Sequence, residues 1–301
     1  MLELKSPKVA IPVVLFAGLL WSFGPLVVRY MDNPHLVPWQ YIFGRGLTIF
    51  ILLNLYLFFE EGKNFYKNYL KIGLSGIIGG SGLGVAMITF IYSITNTSAA
   101  VTLLCLAAMP FFTALLAFLF LRERISFNVW ISIILASIGI LIMAIGNTGE
   151  KSLAGFIFGL TSSIGFSIFS VTLRWKKETP KFTTVAFSGL FCFIFASIVI
   201  LIKDQVFFAS SYNGSLFSLH GTLVCFGLIL YSSGSKAIPA AELTLLSLTE
   251  VVGGIFWVWL PIFGINEVPS TNTIIGGFFL FVSLIYYSLI MKWNKRYIAL
   301  N

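Results

Sequence analysis

Glu250 is the residue of this sequence whose type and position point most directly to chemistry. It lies near the middle of a mainly apolar run at 240–261. A charge at the depth of a lipid bilayer costs about 2.5–3.5 kcal/mol on insertion scales, and acids there are usually functional. We expect the carboxylate to recognise a cationic group or to carry a coupling proton. The alternative is a structural partner for a neighbouring helix.

Two further charged residues fall inside apolar runs. Glu242 follows Pro239 by three positions and could cap the first turn of a helix. On one continuous helix, residues eight apart share a face, so Glu242 and Glu250 are both expected to line one cavity. Arg45 is the one basic residue within a run. Its guanidinium suits a carboxylate ligand or an ion pair with an acid such as Glu250, and a ligand that meets both charges would be a zwitterion.

Aromatic residues make up 16% of the chain and supply further candidates for a binding wall. Ring faces attract ammonium groups through cation–π contacts. Trp21 and Trp257 are the strongest candidates, and Tyr92 and Tyr231 lie in central runs as well. The alternative for most individual aromatic residues is packing against lipid or at the membrane interface.

Small residues and prolines indicate how the helices approach and bend. Gly76, Gly80 and Gly84 form a stripe with a spacing of four residues, which lets another helix pack closely. Pro25 and Pro110 remove backbone hydrogen bonds within apolar runs. We expect kinks at both prolines, and these are candidate gating bends.

No catalytic, cofactor or metal site is expected. Cys105, Cys192 and Cys225 lie far apart in apolar runs and are expected to be small buried side chains. Both histidines, His35 and His220, are expected near the outer face, where an outer end of a span would lie. The net charge of +8 does not indicate a nucleic-acid partner, because the basic residues occupy short segments between apolar runs.

The elements that carry these residues follow from composition. Of 301 residues, 58% are hydrophobic and 10% are charged, whereas soluble domains have about 25% charged residues. The chain is therefore predicted to be an all-α membrane protein, since a span needs about 20 apolar residues. Ten transmembrane helices are predicted, at 9–29, 38–59, 69–93, 98–121, 125–146, 153–174, 180–202, 217–235, 240–261 and 272–291.

The distribution of basic residues predicts the orientation. With the N-terminus inside, only Arg29, Lys151 and Lys203 of the 19 basic residues fall in outer segments, and Arg45 falls within a span. An excess of Lys and Arg marks cytoplasmic loops. Both termini are therefore expected in the cytoplasm.

The two halves of the sequence resemble each other weakly. A shift of 141 residues places Gly18 on Gly159 and Ser22 on Ser163. An offset of five spans reverses the membrane direction, which is typical of the 5+5 inverted-topology repeats of secondary transporters. The predicted repeats are 1–150 and 151–301, and Ser22 and Ser163 become candidates for lining the path, although such hydroxyls also bond to their own helix.

Two segments carry a resemblance to a known family. The segment 92–126, YSITNTSAAVTLLCLAAMPFFTALLAFLFLRERIS, and the segment 236–250, KAIPAAELTLLSLTE, are similar to EamA-type permeases of the drug/metabolite transporter superfamily. The resemblance covers nearly the whole chain. It implies ten helices in two inverted repeats and transport of small organic metabolites without ATP. The Glu-Pro pair of the family is split here: Met109-Pro110 keeps the proline and Glu250-Val251 keeps the acid.

Together these features predict a secondary active transporter of a small nitrogen-containing metabolite, an amino acid or an amine, working by alternating access. The expected partners are that substrate, the lipid bilayer and a candidate coupling proton, and the expected location is a bacterial inner (plasma) membrane. The oligomeric state stays open. A membrane-embedded enzyme or lipid-processing protein would need a catalytic pair or metal cluster. A structural or sensory subunit would have a dry, filled centre.

Overall fold

The computed structural model describes residue 4 and residues 6–122, 127–146, 150–176, 178–208 and 210–298. Within these ranges the chain is helical and contains no strand. This agrees with the predicted all-α class, because backbone polar groups within lipid must be satisfied inside their own segment. The helices are α1 Pro7–Trp21, α2 Gly24–Arg29, α3 Pro38–Glu61, α4 Lys67–Leu70, α5 Gly73–Asn96, α6 Ala99–Leu106, α7 Met109–Leu121, α8 Phe127–Gly146, α9 Glu150–Trp175, α10 Lys181–Ile202, α11 Ser211–Gly234, α12 Ala240–Leu246, α13 Thr249–Trp259 and α14 Thr271–Ile298.

Eight segments of the described residues are long and apolar enough to cross a membrane. They are 7–29, 38–64, 73–96, 99–121, 153–175, 181–202, 211–234 and 240–259. The fifth and tenth predicted spans are also helical, as α8 and α14, but their apolar stretches are shorter, at Trp130–Ile145 and Thr271–Ser283. A multi-span membrane protein is thus confirmed, while the count of ten spans stays a prediction.

Three spanning segments are interrupted near their centres, between α1 and α2, between α6 and α7, and between α12 and α13. At the third break the backbone tightens to 3₁₀-type bonds: the Leu248 N–H donates to Leu245 O at 3.2 Å, and the Val251 N–H donates to Leu248 O at 3.0 Å. The second break repeats this pattern, from Ala108 to Cys105 at 3.1 Å. Such tightening within a helix often marks a functional hinge.

Pro25 and Pro110 stand in the first turns of α2 and α7, directly after two of these breaks. A proline in a first helical turn loses no intrahelical hydrogen bond, because the N–H there has no partner in any case. The predicted kinks therefore take the form of short breaks that each proline follows. Whether they move during function stays a prediction.

Helices of the two halves pack closely through glycine. The α5 helix packs along α9, where a Cβ on Gly82 would lie 3.0 Å from Gly165 O. The α3 helix crosses α10 at Gly46 and Gly189, and a Cβ on either would lie 3.0 Å from the carbonyl oxygen of the other. The α8 helix packs on α14 and α1 packs on α11. These contacts leave a central space between the halves.

Candidate functional site

The central space is a cavity of about 70 Å³, lined by residues of α1, α3, α5, α6, α7, α9, α11 and α13. That volume holds a handful of water molecules. Its wall is mainly apolar and aromatic with a few polar and charged side chains, which is the composition of small-molecule sites. The lining residues are Trp21, Arg45, Leu83, Ala86, Met87, Phe90, Leu106, Met109, Ser162, Phe166, His220, Val224, Leu228 and Glu250.

Glu250 reaches this wall because of the break between α12 and α13. It is the second residue of α13, and its N–H donates to Ser247 O at 2.9 Å. A carboxylate in the first turn of a helix is stabilised by the helix dipole. The predicted common face with Glu242 is wrong, because the break separates the two helices. Glu242 lies in the first turn of α12 and does not line the cavity.

Arg45 forms a second charged part of the wall. It lies on α3 and is only 3% exposed. Its Nη2 donates to Met87 O at 2.6 Å, and the guanidinium carbon lies 5.8 Å from the centre of the Tyr41 ring. These contacts fix the guanidinium beside the cavity. No ion pair within 4.0 Å joins Arg45 to Glu250, although both line the same space.

His220 also lines the cavity, and the prediction that it lies near an outer end is wrong. The α11 helix begins at Ser211, six residues before the predicted start, because the Ser210 hydroxyl accepts the Asn213 N–H at 3.0 Å. His220 therefore lies within the third turn of the helix and is 2% exposed. Its Nδ1 is hydrogen-bonded to the Tyr41 hydroxyl. The Ser210 cap was the sequence signal that could have extended the helix.

Trp21 forms the aromatic part of the wall. Its indole N–H donates to Val224 O at 3.2 Å, which orients the ring. The ring meets Phe166 edge-on with centroids 5.7 Å apart. Tyr231 packs behind Trp21 at 5.6 Å and shares a hydrogen bond of 2.7 Å with Ser170. Of the predicted aromatic candidates, Trp21 lines the cavity, and Tyr231 supports it from the second layer.

Other predicted site residues lie around the cavity without lining it. The Ser22 hydroxyl donates to Leu19 O at 2.7 Å and accepts the Trp257 indole N–H at 2.9 Å, beside the break after α1. The Ser163 hydroxyl donates to Cys105 O at 2.5 Å. Ser22 therefore bonds to its own helix, as the alternative interpretation held, whereas Ser163 bonds mainly to α6 and only at 3.3 Å to Gly159 O of its own helix. Tyr92 packs against Trp39 away from the cavity, with ring centroids 5.2 Å apart.

The predicted glycine stripe lies against α10. A Cβ on Gly76 would lie 2.9 Å from Thr184 Oγ1, a Cβ on Gly80 2.6 Å from Phe187, and a Cβ on Gly84 2.5 Å from Phe191. Each of these positions leaves no room for a methyl group without displacement of the partner. The close contact of α5 with α10 therefore requires glycine at these three positions.

Sequence reasoning missed a polar cluster at one end of the molecule. Arg29, at the end of α2, pairs with Glu267 through Nε–Oε2 at 2.7 Å. The same guanidinium donates to Ile94 O at 2.8 Å and to Thr97 O at 3.2 Å. Glu267 in turn accepts the Ala99 N–H at 2.6 Å, at the start of α6. We call the Arg29–Glu267 pair and these contacts the end latch, since they join α2, α5, α6 and the loop after α13.

The polar groups of the described residues include no cluster of three or more side chains suited to a metal ion. Cys105, Cys192 and Cys225 are free thiols and buried, as expected. The central cavity thus brings two side chains of opposite charge, Arg45 and Glu250, and the Trp21 ring to one small space.

Comparison with known proteins agrees with this picture. Residues 8–145 match the EamA-like transporter family. A protein of Helicobacter pylori strain J99, named an uncharacterized transporter, is 26% identical over 56% of this chain and 56% of its own length, so the match spans about half of that relative. A second such protein, from H. pylori strain 26695, is 23% identical over 82% of this chain and 84% of its own length. One from Clostridium kluyveri is 26% identical over 74% and 73%.

A solved crystal structure shares the fold, with a TM-score of 0.66 and 16% identity over 95% of this chain and 99% of that one. A sequence identity of 16% shows a shared fold and does not show a shared function. The resemblance to EamA-type permeases is confirmed for the first half of the chain: residues 8–145 are a domain of the EamA-like transporter family, which is part of the drug/metabolite transporter superfamily.

Proposed function

We propose that this protein is a secondary active transporter of a small zwitterionic or cationic nitrogen compound, such as an amino acid or an amine. The observation that carries the proposal is the central cavity, which Arg45 and Glu250 both line without forming an ion pair. A guanidinium suits a carboxylate, and a carboxylate suits an ammonium group. The Trp21 ring adds a surface for the ammonium group or an apolar substituent.

We propose further that ten helices form two inverted repeats, 1–150 and 151–301. Two observations support this. Contacts between the halves come in exchanged pairs, since α5 packs on α9 while α11 packs on α1, and α3 packs on α11 while α10 packs on α5. The 3₁₀-type bonds at Ala108 and Leu248 also recur with a separation of 140 residues. In addition, α8 has 20 residues and rises about 30 Å, the thickness of the hydrocarbon core.

Alternating access follows from such a repeat, because two similar halves of opposite direction can exchange their packing. The end latch supports a state that is closed at one face, since it holds four segments together at that end. We propose that this face lies outside and that both termini lie in the cytoplasm of a bacterial cell, and the distribution of basic residues supports this orientation. Glu250 is also the residue we propose as carrier of a coupling proton.

The test is transport by purified protein in liposomes, beside a thermal-shift screen in detergent. A panel of amino acids, polyamines, quaternary amines, nucleosides and organic acids covers the alternatives. A ligand that binds the native state raises the melting temperature by mass action. We expect an amine or zwitterion to stabilise the wild type and to accumulate in liposomes, and Glu250→Gln to lose both effects.

Glu242→Gln is the matched control, because it removes an acid from the same span outside the cavity. It is expected to keep the ligand-induced shift. Stabilisation of the wild type and Glu250→Gln by organic acids alone would contradict the proposed substrate class. Conversion of a panel compound into a product, with no accumulation, would favour a membrane-embedded enzyme instead.

A further inference from the structure

The imidazole ring of His220 has one nitrogen that is fixed and one that is free. Its Nδ1 is hydrogen-bonded to the Tyr41 hydroxyl, and the centroids of the two rings lie 5.7 Å apart. Across the part of the chain that the structure describes, Nε2 has no hydrogen-bond partner. The side chain is only 2% exposed and lines the central cavity. Because buried polar atoms normally have a partner, Nε2 is available to a ligand in that cavity.

Gly24 leaves space beside this free nitrogen. It is the first residue of α2, and a Cβ on it would lie 2.6 Å from His220 Nε2. The three atoms nearest to such a Cβ all belong to the His220 ring. Trp21, one turn before Gly24, and Val224, one turn after His220, both line the central cavity. The open space at Nε2 therefore adjoins the cavity, and a side chain at position 24 would fill it.

The free nitrogen acts as a hydrogen-bond donor. If the Tyr41 hydroxyl donates to Nδ1, the hydrogen of the neutral imidazole lies on Nε2, and if the ring is cationic, both nitrogens carry hydrogen. Only the other neutral tautomer would make Nε2 an acceptor. In that case the buried Tyr41 hydroxyl would have no acceptor for its own hydrogen among the described residues, since His220 is its one hydrogen-bond partner there.

Arg45 supplies further donors in the same part of the wall. Its helix α3 touches α11 here, because a Cβ on Gly221 would lie 3.1 Å from Arg45 O. Tyr41 contacts both side chains, with its ring centre 5.8 Å from the guanidinium carbon and its hydroxyl bonded to His220. Arg45 Nη2 donates to Met87 O, and the other guanidinium nitrogens have no partner among the described residues. Donors on two adjacent helices suit the two oxygens of a carboxylate, which accept several hydrogen bonds.

We propose, taking the central cavity as the substrate site of the proposed function, that His220 and Arg45 together bind a carboxylate of the substrate. The substrate is then an amino acid whose ammonium group lies towards Glu250, and simple amines are poor ligands. A cavity of about 70 Å³ corresponds to about five to seven water positions at about 10–15 Å³ each. This space suits a small amino acid such as glycine, alanine or serine.

The experiment measures affinities from the ligand-induced melting shifts of the purified full chain in detergent. Glycine, L-alanine and L-serine are each compared with their amides, and propionate is a carboxylate without an ammonium group. Gly24→Ala fills the space beside Nε2 and keeps the bond between Tyr41 and His220. His220→Phe keeps an aromatic ring and removes both nitrogens. Gly214→Ala on α11 is the matched control, because a Cβ there would meet nothing within 4 Å.

We expect the wild type and the control to bind an amino acid more tightly than its amide. Gly24→Ala and His220→Phe should bind the amino acid about tenfold more weakly, which is the effect of one hydrogen bond to a charged group. The affinity for the amide should change little in either variant, whereas a merely structural role of His220 would weaken the binding of both compounds.

Three results would overturn the carboxylate site: amides that bind the wild type as tightly as the amino acids, equal weakening of amino acid and amide in both variants, or failure of every carboxylate compound to stabilise the wild type. The first of these leaves the proposed transport of a nitrogen compound intact. If propionate alone binds, and binds about tenfold more weakly in both variants, the carboxylate site is supported and the nitrogen compound of the proposed function is contradicted.

Discussion

Removal of one charge from the end latch should open that face of the protein. In Glu267→Gln the amide oxygen can still accept the Ala99 N–H, so the loss is confined to the ion pair with Arg29. A hydrogen bond between charged groups contributes about 1.5–3 kcal/mol. Both side chains are about one-fifth exposed, at 20% and 21%, so solvent screens the pair and the lower value applies. About 1.5 kcal/mol corresponds to roughly a tenfold shift between conformations.

A cysteine in the cavity reports this shift. Val224 lines the central cavity, so Val224→Cys, a change to a side chain of similar size, places a thiol in that cavity. Its rate of reaction with a membrane-impermeant maleimide is measured with and without Glu267→Gln. We expect the labelling rate to rise about tenfold, because the closed conformation loses about 1.5 kcal/mol of stability relative to the open one. The chain without the added cysteine gives the background, because its native thiols are buried.

The control for this experiment is Asp32→Asn, which removes an exposed carboxylate near the same end. It should leave the labelling rate unchanged. An unchanged rate in Glu267→Gln would refute the assignment of the latch to the closed state. An equal rise in Asp32→Asn would show that the effect comes from net charge.

Two further substitutions test the cavity wall. Gly227→Ala would place a Cβ 2.0 Å from Trp21 Nε1. We expect this change to lower the free energy of unfolding by about 1–3 kcal/mol, measured by thermal unfolding, and to weaken ligand binding. Gly214→Ala on the same helix is the control, because its Cβ would meet nothing within 4 Å, and it should change neither quantity. Tyr41→Phe removes the hydroxyl that pairs with buried His220 Nδ1. It should lower stability by about 1–3 kcal/mol, measured by the same unfolding assay, and an unchanged melting temperature would contradict the importance of this pair.

Much of the fold follows from simple physical quantities in the sequence. Apolar runs bounded by charges predict the helices within a few residues, as at 38–59 for Pro38–Glu61 and 240–261 for α12 with α13. The high cost of a charge at bilayer depth pointed to Arg45 and Glu250, and both line the cavity. These inferences need only the local sequence and the properties of lipid.

Features that depend on tertiary contacts were not predictable in this way. The break at Ser247 and Leu248 contains neither glycine nor proline, and some backbone hydrogen bonds there join residues three apart instead of four. The apolar pattern of the sequence therefore continues through the break. The common face of Glu242 and Glu250 was wrong for this reason. The latch joins Arg29 to a residue 238 positions away, and no local pattern marks such a pair.

The crossing of α3 and α10 has a mechanical consequence. Gly46 and Gly189 each bring their backbone against the carbonyl oxygen of the other, with only the Cys192 and Ile49 side chains beside them. The two backbones therefore meet directly at this point. In the proposed exchange of the two halves, we expect this close contact between one helix of each half to be the place that moves least. We therefore expect spin labels flanking Gly46 and Gly189 to keep a constant separation during a transport cycle, while labels near Arg29 and Glu267 move apart and return.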